Sequence, residues 1–312
     1  MDIPSIDWLP GESFYGLCCR LHRLLGCAKI STTSQLLFSH LYRGFEHDFP
    51  KRLTNFVVNS GQKFGSQASI VLNHTIAPYY LIFRGACEGK AGDFYLDYFW
   101  HRQKLKNNKC ILAHPLKFCL ECGKAEEAEF GVSYWHVMHQ LPCVWVCKKH
   151  HTLLVVYRGA RNSWGQYGVV FPDAEMASAI DCDYTLDIGL LEQLLRAATD
   201  VWLLGSLTNV NARHLPRAYR ALASSTRFGG DTRTINLEVA SCSLYSFFTR
   251  IRSVLPFINL PMDIRTTKKF LRGVLWPVTP DYNPSHLCIM SCWLDEGVKN
   301  VIAMSDELMK RS

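Results

Sequence analysis

Residues 119–150 read CLECGKAEEAEFGVSYWHVMHQLPCVWVCKKH and carry a closely spaced pair of soft ligands at each end. The first pair is Cys119-Leu-Glu-Cys122 and the second is Cys147-Lys-Lys-His150, with 24 residues between them. Zinc takes four nitrogen or sulfur ligands in a tetrahedron, and two such pairs supply two ligands each from tight turns. The stretch therefore predicts a zinc finger with Zn²⁺ as cofactor. Because the protein fills all four positions, the predicted role of the metal is structural.

Two other interpretations of these residues stay open at this point. Cysteine packs well as a small apolar residue, so the cysteines could be unpaired members of a core. A CxxC can also be a redox pair, although that chemistry does not require the CxxH. Six nearby residues could replace a ligand, and we expect them instead to pack around the site: Cys110, His114, His136, His139, Cys143 and His151.

Composition predicts a folded protein that stays inside the cell. Hydrophobic residues make up 48% and charged residues 20% of the 312 residues, enough apolar surface for two or three domains. No signal-peptide pattern and no spanning apolar run stand out, so we expect a cytoplasmic protein with reduced thiols and no membrane partner. The net charge of +7 suits a nucleic-acid partner and an ordinary soluble protein equally well.

Helical periodicity dominates the flanking regions. Apolar residues between Phe14 and Leu25 recur at helical spacing, with Pro10 and Glu12 at the predicted start and Gly26 at the end. A second helix is expected from the Ser31–Ser34 cluster, with Leu36, Leu37 and Leu41 facing inward, and a third after Pro50. Several short helices with brief connections are typical of a helix-turn-helix region.

The central and C-terminal regions differ in pattern. Short strands are predicted at 144–146 and 153–157. Four helices are then expected, near 186–198, 215–223, 244–255 and 266–276. The predicted fold is thus mainly α, with an N-terminal helix-turn-helix region (1–109), a central zinc finger with short strands (110–170) and a C-terminal helical, helix-turn-helix-like region (171–312).

The order of motifs resembles that of the TniQ/TnsD family. Its zinc motif runs CPxC, Gly-x-x-Tyr-Trp, His-Gln-Leu-Pro and CxxH, followed by leucine. The chain has the same order, with Gly131-Val-Ser-Tyr134-Trp135, His139-Gln-Leu-Pro142 and Leu153-Leu154 alongside the two ligand pairs. Pro10-Gly-Glu-Ser13 and the segment from His74 to Tyr80 are similar to further family segments. Leu120 and Cys143 depart from the usual proline and glycine, and neither departure changes a ligand.

The resemblance implies a target-site selector of a cut-and-paste transposon. Such a protein binds double-stranded DNA at the insertion site, or docks on a complex that has recognised it, and recruits a TnsC-type AAA+ ATPase. It also implies a bacterial, nucleoid-associated protein. Phosphate contacts need exposed basic side chains. The candidates are Lys51, Arg52, Arg213, Arg217, Arg220, Arg265, Lys268, Lys269 and Arg272.

Two other functions compete with DNA targeting. An adaptor would bridge a CRISPR RNA-guided complex of the Cascade type to the same ATPase without reading DNA, and exposed tryptophans at positions 8, 100 and 164 would favour it. An enzyme is not expected, because the sequence has no G-x-S-x-G, P-loop or H-E-x-x-H motif.

Overall fold

The computed structural model describes residues 3–41, 44–83, 115–160, 166–178, 187–207, 210, 212–226, 228–229, 235–254, 257–278 and 283–310. The chain divides into two compact units. The first comprises Met1–Ala77, His114–Leu141 and Val146–Ile180, and the second Pro78–Ala113, Pro142–Trp145 and Asp181–Ser312. The mainly helical class is confirmed. The three-part division of the chain and the helix-turn-helix assignments stay predictions.

The described part of the first unit begins with four helices and continues with short strands and two further helices. In chain order it contains α1 (Phe14–Leu25), α2 (Ile30–Phe38), α3 (Leu53–Asn59), α4 (Gln67–His74), β1 (Lys117–Phe118), α6 (Leu120–Phe130), α7 (Val137–Gln140), β2 (Val155–Tyr157) and β3 (Ala177–Ser178). A short helix, α5 (Ala77–Leu81), begins at the last residue before the second unit. The strands form an antiparallel sheet in the order β1-β2-β3, with Val156 opposite both Lys117 and Ser178.

Helix α1 has the predicted length, but Ser13 and not Pro10 or Glu12 caps its N-terminus. Ser13 is the N-cap, and its Oγ accepts a hydrogen bond from the Gly16 amide at 3.1 Å. Gly26 ends the helix in the left-handed conformation, with φ 62°. Glu12, expected at the helix start, has no exposed surface and pairs with Arg20 at 3.1 Å. An apolar core therefore encloses this carboxylate.

Aromatic rings join the first three helices. The ring centroids of Phe14 and Phe56 are 4.8 Å apart, and Phe38 stacks on Phe56 at 5.7 Å. The expectation for Leu41 was wrong, since it is 48% exposed. The reason is that α2 ends at Phe38, and Ser39 has a left-handed backbone that turns the chain away from the helical repeat. The strand expected at 144–146 was also wrong. Val146 forms an isolated bridge with Leu153, and residues 144 and 145 are not in a strand.

Among the described residues of the second unit, six further α-helices follow: α8 (Ile188–Leu207), α9 (Leu215–Ser225), α10 (Leu237–Thr249), α11 (Ile264–Leu275), α12 (Pro284–Trp293) and α13 (Val298–Lys310). Helix α8 packs on α12, α9 on α13, and α10 on α11. Periodicity had indicated the first four of these helices. No described helix combines the length and apolar character that crossing a bilayer requires.

Candidate metal centre

The first ligand pair lies at the start of α6 and not in a tight turn as expected. Cys119 is the N-cap residue with extended backbone angles, and Cys122 lies in the first helical turn. The Cys119 carbonyl accepts the Gly123 amide at 3.1 Å, which closes that turn. Unpaired backbone N–H groups and the helix dipole at this end favour a thiolate. The helix start thus places both sulfurs on one side and stabilises their charge.

The second ligand pair does lie in a tight turn. The Cys147 amide donates to the Thr152 carbonyl at 2.9 Å, and the His151 amide donates to the Cys147 carbonyl at 2.9 Å. His151 has φ 55°, so the chain reverses immediately after His150. The bridge between Val146 and Leu153 holds the two sides of the turn together. This geometry directs the Cys147 sulfur and the His150 ring to the same side.

The four predicted ligands converge. The Nδ1 atom of His150 lies 3.4 Å from the Cys119 sulfur, 3.4 Å from the Cys122 sulfur and 3.7 Å from the Cys147 sulfur. Zn–S and Zn–N bonds of about 2.3 and 2.05 Å give tetrahedral edges of about 3.8 Å for S–S and 3.6 Å for S–N. The observed separations match these edges. The cluster can therefore hold a metal ion without rearrangement, and its donor set is compatible with zinc.

The same distances argue against the other interpretations. A redox CxxC would need only Cys119 and Cys122, whereas here the Cys147 sulfur lies 3.6 Å from that of Cys122 and all four donor atoms lie within 4.8 Å of one another. All three cysteines are free. Isolated core cysteines would not direct three sulfurs and an imidazole nitrogen to one point. Hydrogen bonds from the Cys122 and Cys147 thiols lower the pKa of Cys119.

Motif residues between the ligand pairs brace the finger. The Trp135 indole is buried, and its Nε1 donates to the Val170 carbonyl at 2.7 Å. Gln140 accepts from the Lys117 amide at 3.0 Å and donates to the Lys117 carbonyl at 2.8 Å, so its amide pairs with the strand before the first cysteine. Glu126 accepts from the Tyr134 amide at 3.2 Å and contacts the His136 ring. Sequence spacing alone did not reveal these bracing roles.

The six neighbouring histidines and cysteines have different surroundings. His136 forms a second possible cluster with Glu126 and Cys122, and it shares Cys122 with the first cluster. His139 is buried, and burial lowers the pKa of its ring to about 3, which keeps it neutral. Cys143 lies in the second unit, 3.2 Å from the Tyr79 hydroxyl. His151 is exposed, whereas Cys110 and His114 lie outside the described residues.

The predicted DNA-contacting residues fall into three groups. Lys51 and Arg52 belong to the first unit, where Arg52 is exposed and Lys51 lies 3.9 Å from Glu46. Arg213 precedes α9, and Arg217 and Arg220 lie on it. The guanidinium of Arg220 donates to the carbonyl of Leu275, so this arginine is used within the protein.

The third group lies on α11. Arg265, Lys269 and Arg272 are exposed, and their spacing puts them on one stripe of the helix. Lys268 lies to one side of the stripe and pairs with Glu238 on α10. Arg213 and Arg217 are exposed as well, so among the nine predicted residues the stripe is the largest set on one exposed helix face.

Of the three tryptophans expected to favour the adaptor interpretation, only Trp8 lies in the described residues, and its contacts do not support that interpretation. Trp8 stacks on His74 with ring centroids 3.4 Å apart, and its Nε1 donates to the Phe64 carbonyl at 3.2 Å. Trp100 and Trp164 lie outside the described residues.

A comparison with protein families matches this chain to the TniQ family over residues 5–154. No curated protein matches the sequence. The matched residues run from before α1 to the end of the turn that holds His150, so they include all four candidate ligands. A TniQ domain indicates a transposition-associated function. Residues 5–154 of this chain therefore carry a TniQ domain.

Proposed function

We propose that the protein selects the target site for a transposition system by binding double-stranded DNA at the insertion site and recruiting a TnsC-type AAA+ ATPase. The TniQ domain supports the link to transposition. The observation that carries the DNA-binding part is the basic stripe of α11. In this role the protein acts on chromosomal DNA in the bacterial cytoplasm.

Helix α11 has the build of a DNA-contacting helix. Its inner face is buried through Thr267, Leu271, Val274 and Leu275, and it packs against α9 and α10. Its outer face carries the basic stripe. A helix held on a scaffold with cations outward can neutralise backbone phosphates and reach base edges from the major groove. We expect α11 to be the recognition helix of the C-terminal region.

The metal centre supports this function indirectly. Its four protein ligands leave no coordination position for substrate or water, which is typical of structural zinc and not of catalytic zinc. When bound, the ion would tie the start of α6 to the turn at Cys147 and His150. We infer a structural site in a protein that has no catalytic role of its own.

The test is DNA binding across a salt series. Zinc-loaded protein is titrated with a duplex carrying the insertion site and with a scrambled duplex. We expect roughly 10³-fold tighter binding to the true site. A variant with Arg265, Lys269 and Arg272 replaced by alanine should bind both duplexes more weakly. Its log Kd against log salt should have a slope smaller by about 2.7, since each lost phosphate contact removes about 0.9.

A matched control removes the same charge elsewhere. Lys124, Lys299 and Lys310 lie on other helices, and their replacement by alanine should leave the salt slope nearly unchanged. Equal effects of the two triple variants would contradict the assignment to α11. Equal, salt-sensitive binding of both duplexes by the wild type would point to the adaptor of an RNA-guided complex. ATPase recruitment is tested separately, by co-purification with a TnsC-type ATPase in the presence and absence of target DNA.

A further inference from the structure

An exposed tryptophan continues the basic stripe of α11. The stripe runs through Arg265, Lys269 and Arg272 with steps of four and three residues, and a further step of four leads to Trp276. Trp276 is the C-cap residue of the helix: its amide still bonds to the Arg272 carbonyl at 2.8 Å, but its own backbone angles, φ −132° and ψ 62°, are no longer helical. The indole therefore lies at the C-terminal end of the helix that carries the stripe. Nearly half of this residue is exposed, at 47%.

An arginine supports the indole from inside the protein. The guanidinium carbon of Arg220 lies 5.8 Å from the centre of the Trp276 ring, within cation–π distance. The same guanidinium is bound to the Leu275 carbonyl, so the contact is held in place. The charge of Arg217 contributes to a lowered pKa of Arg220, after burial, which puts a second cation close by. The indole therefore has a cation on one side and leaves much of its surface open to solvent.

The surface beside the indole forms a shallow groove that is closer to a flat surface than to an enclosed pocket. Leu237, Arg272, Gly273, Trp276, Pro277 and Val278 line it. Gly273 leaves its side of the groove empty, because a Cβ there would meet nothing within 4 Å. The groove thus combines a flat aromatic surface, apolar walls and a basic rim. Proteins that hold unpaired nucleotides combine these same features, with bases stacked on aromatic rings and phosphates bound by basic residues.

From this arrangement we infer that Trp276 is a stacking site for an unpaired or unstacked base of the DNA whose phosphates contact the stripe. The inference rests on the proposed function. From Arg265 to Trp276 the helix rises roughly 16 Å at 1.5 Å per residue. That length corresponds to about five nucleotides at 3.4 Å each. One DNA segment can therefore engage the cations and reach the indole together.

The experiment compares a fully paired duplex with the same duplex carrying one central unpaired adenine. Affinities are measured by fluorescence anisotropy with zinc-loaded, full-length protein. We expect the wild type to bind the bulged duplex about tenfold more tightly, in line with the strength of base–aromatic stacking. Trp276→Leu keeps apolar bulk without an aromatic face and should abolish this preference. Trp276→Phe should retain several-fold preference, and affinity for the paired duplex should change less than about threefold in both variants.

Two controls separate stacking from damage to the fold. Phe130→Ala removes an exposed aromatic residue of the first unit and should leave the preference intact. A 2-aminopurine at the unpaired position should be quenched by the wild type and by Trp276→Phe, but not by Trp276→Leu.

The outcomes distinguish this inference from the function on which it rests. Salt-dependent binding of the paired duplex without preference for the bulge would overturn the stacking site alone. A preference that survives Trp276→Leu would also overturn it, and would leave the groove to a different occupant such as an acidic peptide. Absence of any DNA binding at low salt would overturn both.

Discussion

The sulfur of Cys122 lies 3.6 Å from the sulfur of Cys147, although 25 positions separate the two residues in sequence. This separation is about the edge of a zinc tetrahedron and nearly twice the length of a disulfide bond. The two sulfurs come from different local structures, a helix start and a tight turn. A metal ion between them would add a further link to the β1–β2 pairing, which already joins the strand before Cys119 to the strand after the turn.

Loss of a ligand should therefore destabilise the first unit. Cys122→Ser and Cys147→Ser are expected to lose bound zinc and to lower the unfolding temperature of this unit by about 10 °C or more, since structural zinc contributes folding free energy. Zinc content by atomic absorption and thermal unfolding by circular dichroism measure the two effects. Cys242→Ser is the control, because Cys242 is exposed and free. A Cys122 variant that kept its zinc and its unfolding temperature would remove this residue from the ligand set.

Adjacent histidines allow a sharper test of the ligand assignment. His150 presents Nδ1 to all three sulfurs, whereas His151 is exposed and has a left-handed backbone. His150→Ala should reduce zinc binding strongly, and His151→Ala should leave the stoichiometry at one ion per chain. Zinc titration against a chromogenic chelator reports both. The reverse pattern would transfer the fourth ligand position to His151.

Buried Glu12 should make stability depend on pH. Burial, only partly offset by Arg20, raises the pKa of Glu12 from 4.5 to about 7. Between these values the folded state keeps a proton on Glu12 that the unfolded state releases. The contribution of Glu12 to the free energy of unfolding is therefore highest below about pH 4.5 and falls as pH rises to about 7. The loss amounts to roughly 3 kcal/mol at most.

Glu12→Gln should remove this loss. Urea unfolding from pH 5 to 8 is compared between variant and wild type, because other titrating groups then cancel in the difference. The variant's advantage should grow across this range and level off above pH 7. Parallel profiles for the two proteins would show that Glu12 is already ionised in the folded state at pH 5.

Two helical glycines should respond oppositely to alanine. A Cβ on Gly205 of α8 would collide with the Pro78 carbonyl oxygen, whereas a Cβ on Gly273 of α11 meets open space. Gly205→Ala should cost about 1–3 kcal/mol by overpacking. Gly273→Ala should add about 0.5–1 kcal/mol, since alanine loses less backbone entropy on folding. Thermal unfolding measures both, and equal shifts would mean that α8 moves away from Pro78 without cost.

Much of the fold was predictable because its signals are local. Helical periodicity located α1, α8, α9, α10 and α11, since each buries a continuous apolar stripe. Helices α12 and α13 were not identified by periodicity. Helix α12 is buried on most sides through Cys288, Ile289 and Met290, so its apolar residues form no stripe.

The sequence by itself determined the candidate ligand set and the match to TniQ, because both depend on the kind and spacing of residues along the chain. Only the tertiary structure decided that Glu12 is buried, that Arg220 and Lys268 are used in internal contacts and that Arg265, Lys269 and Arg272 stay exposed. Tertiary structure likewise decided that Trp276, at the C-terminal end of α11, stays nearly half exposed. The physical cause is that a charged or aromatic side chain carries no local sign of its neighbours: whether it faces water, an ion partner or a core depends on which helices pack against its own.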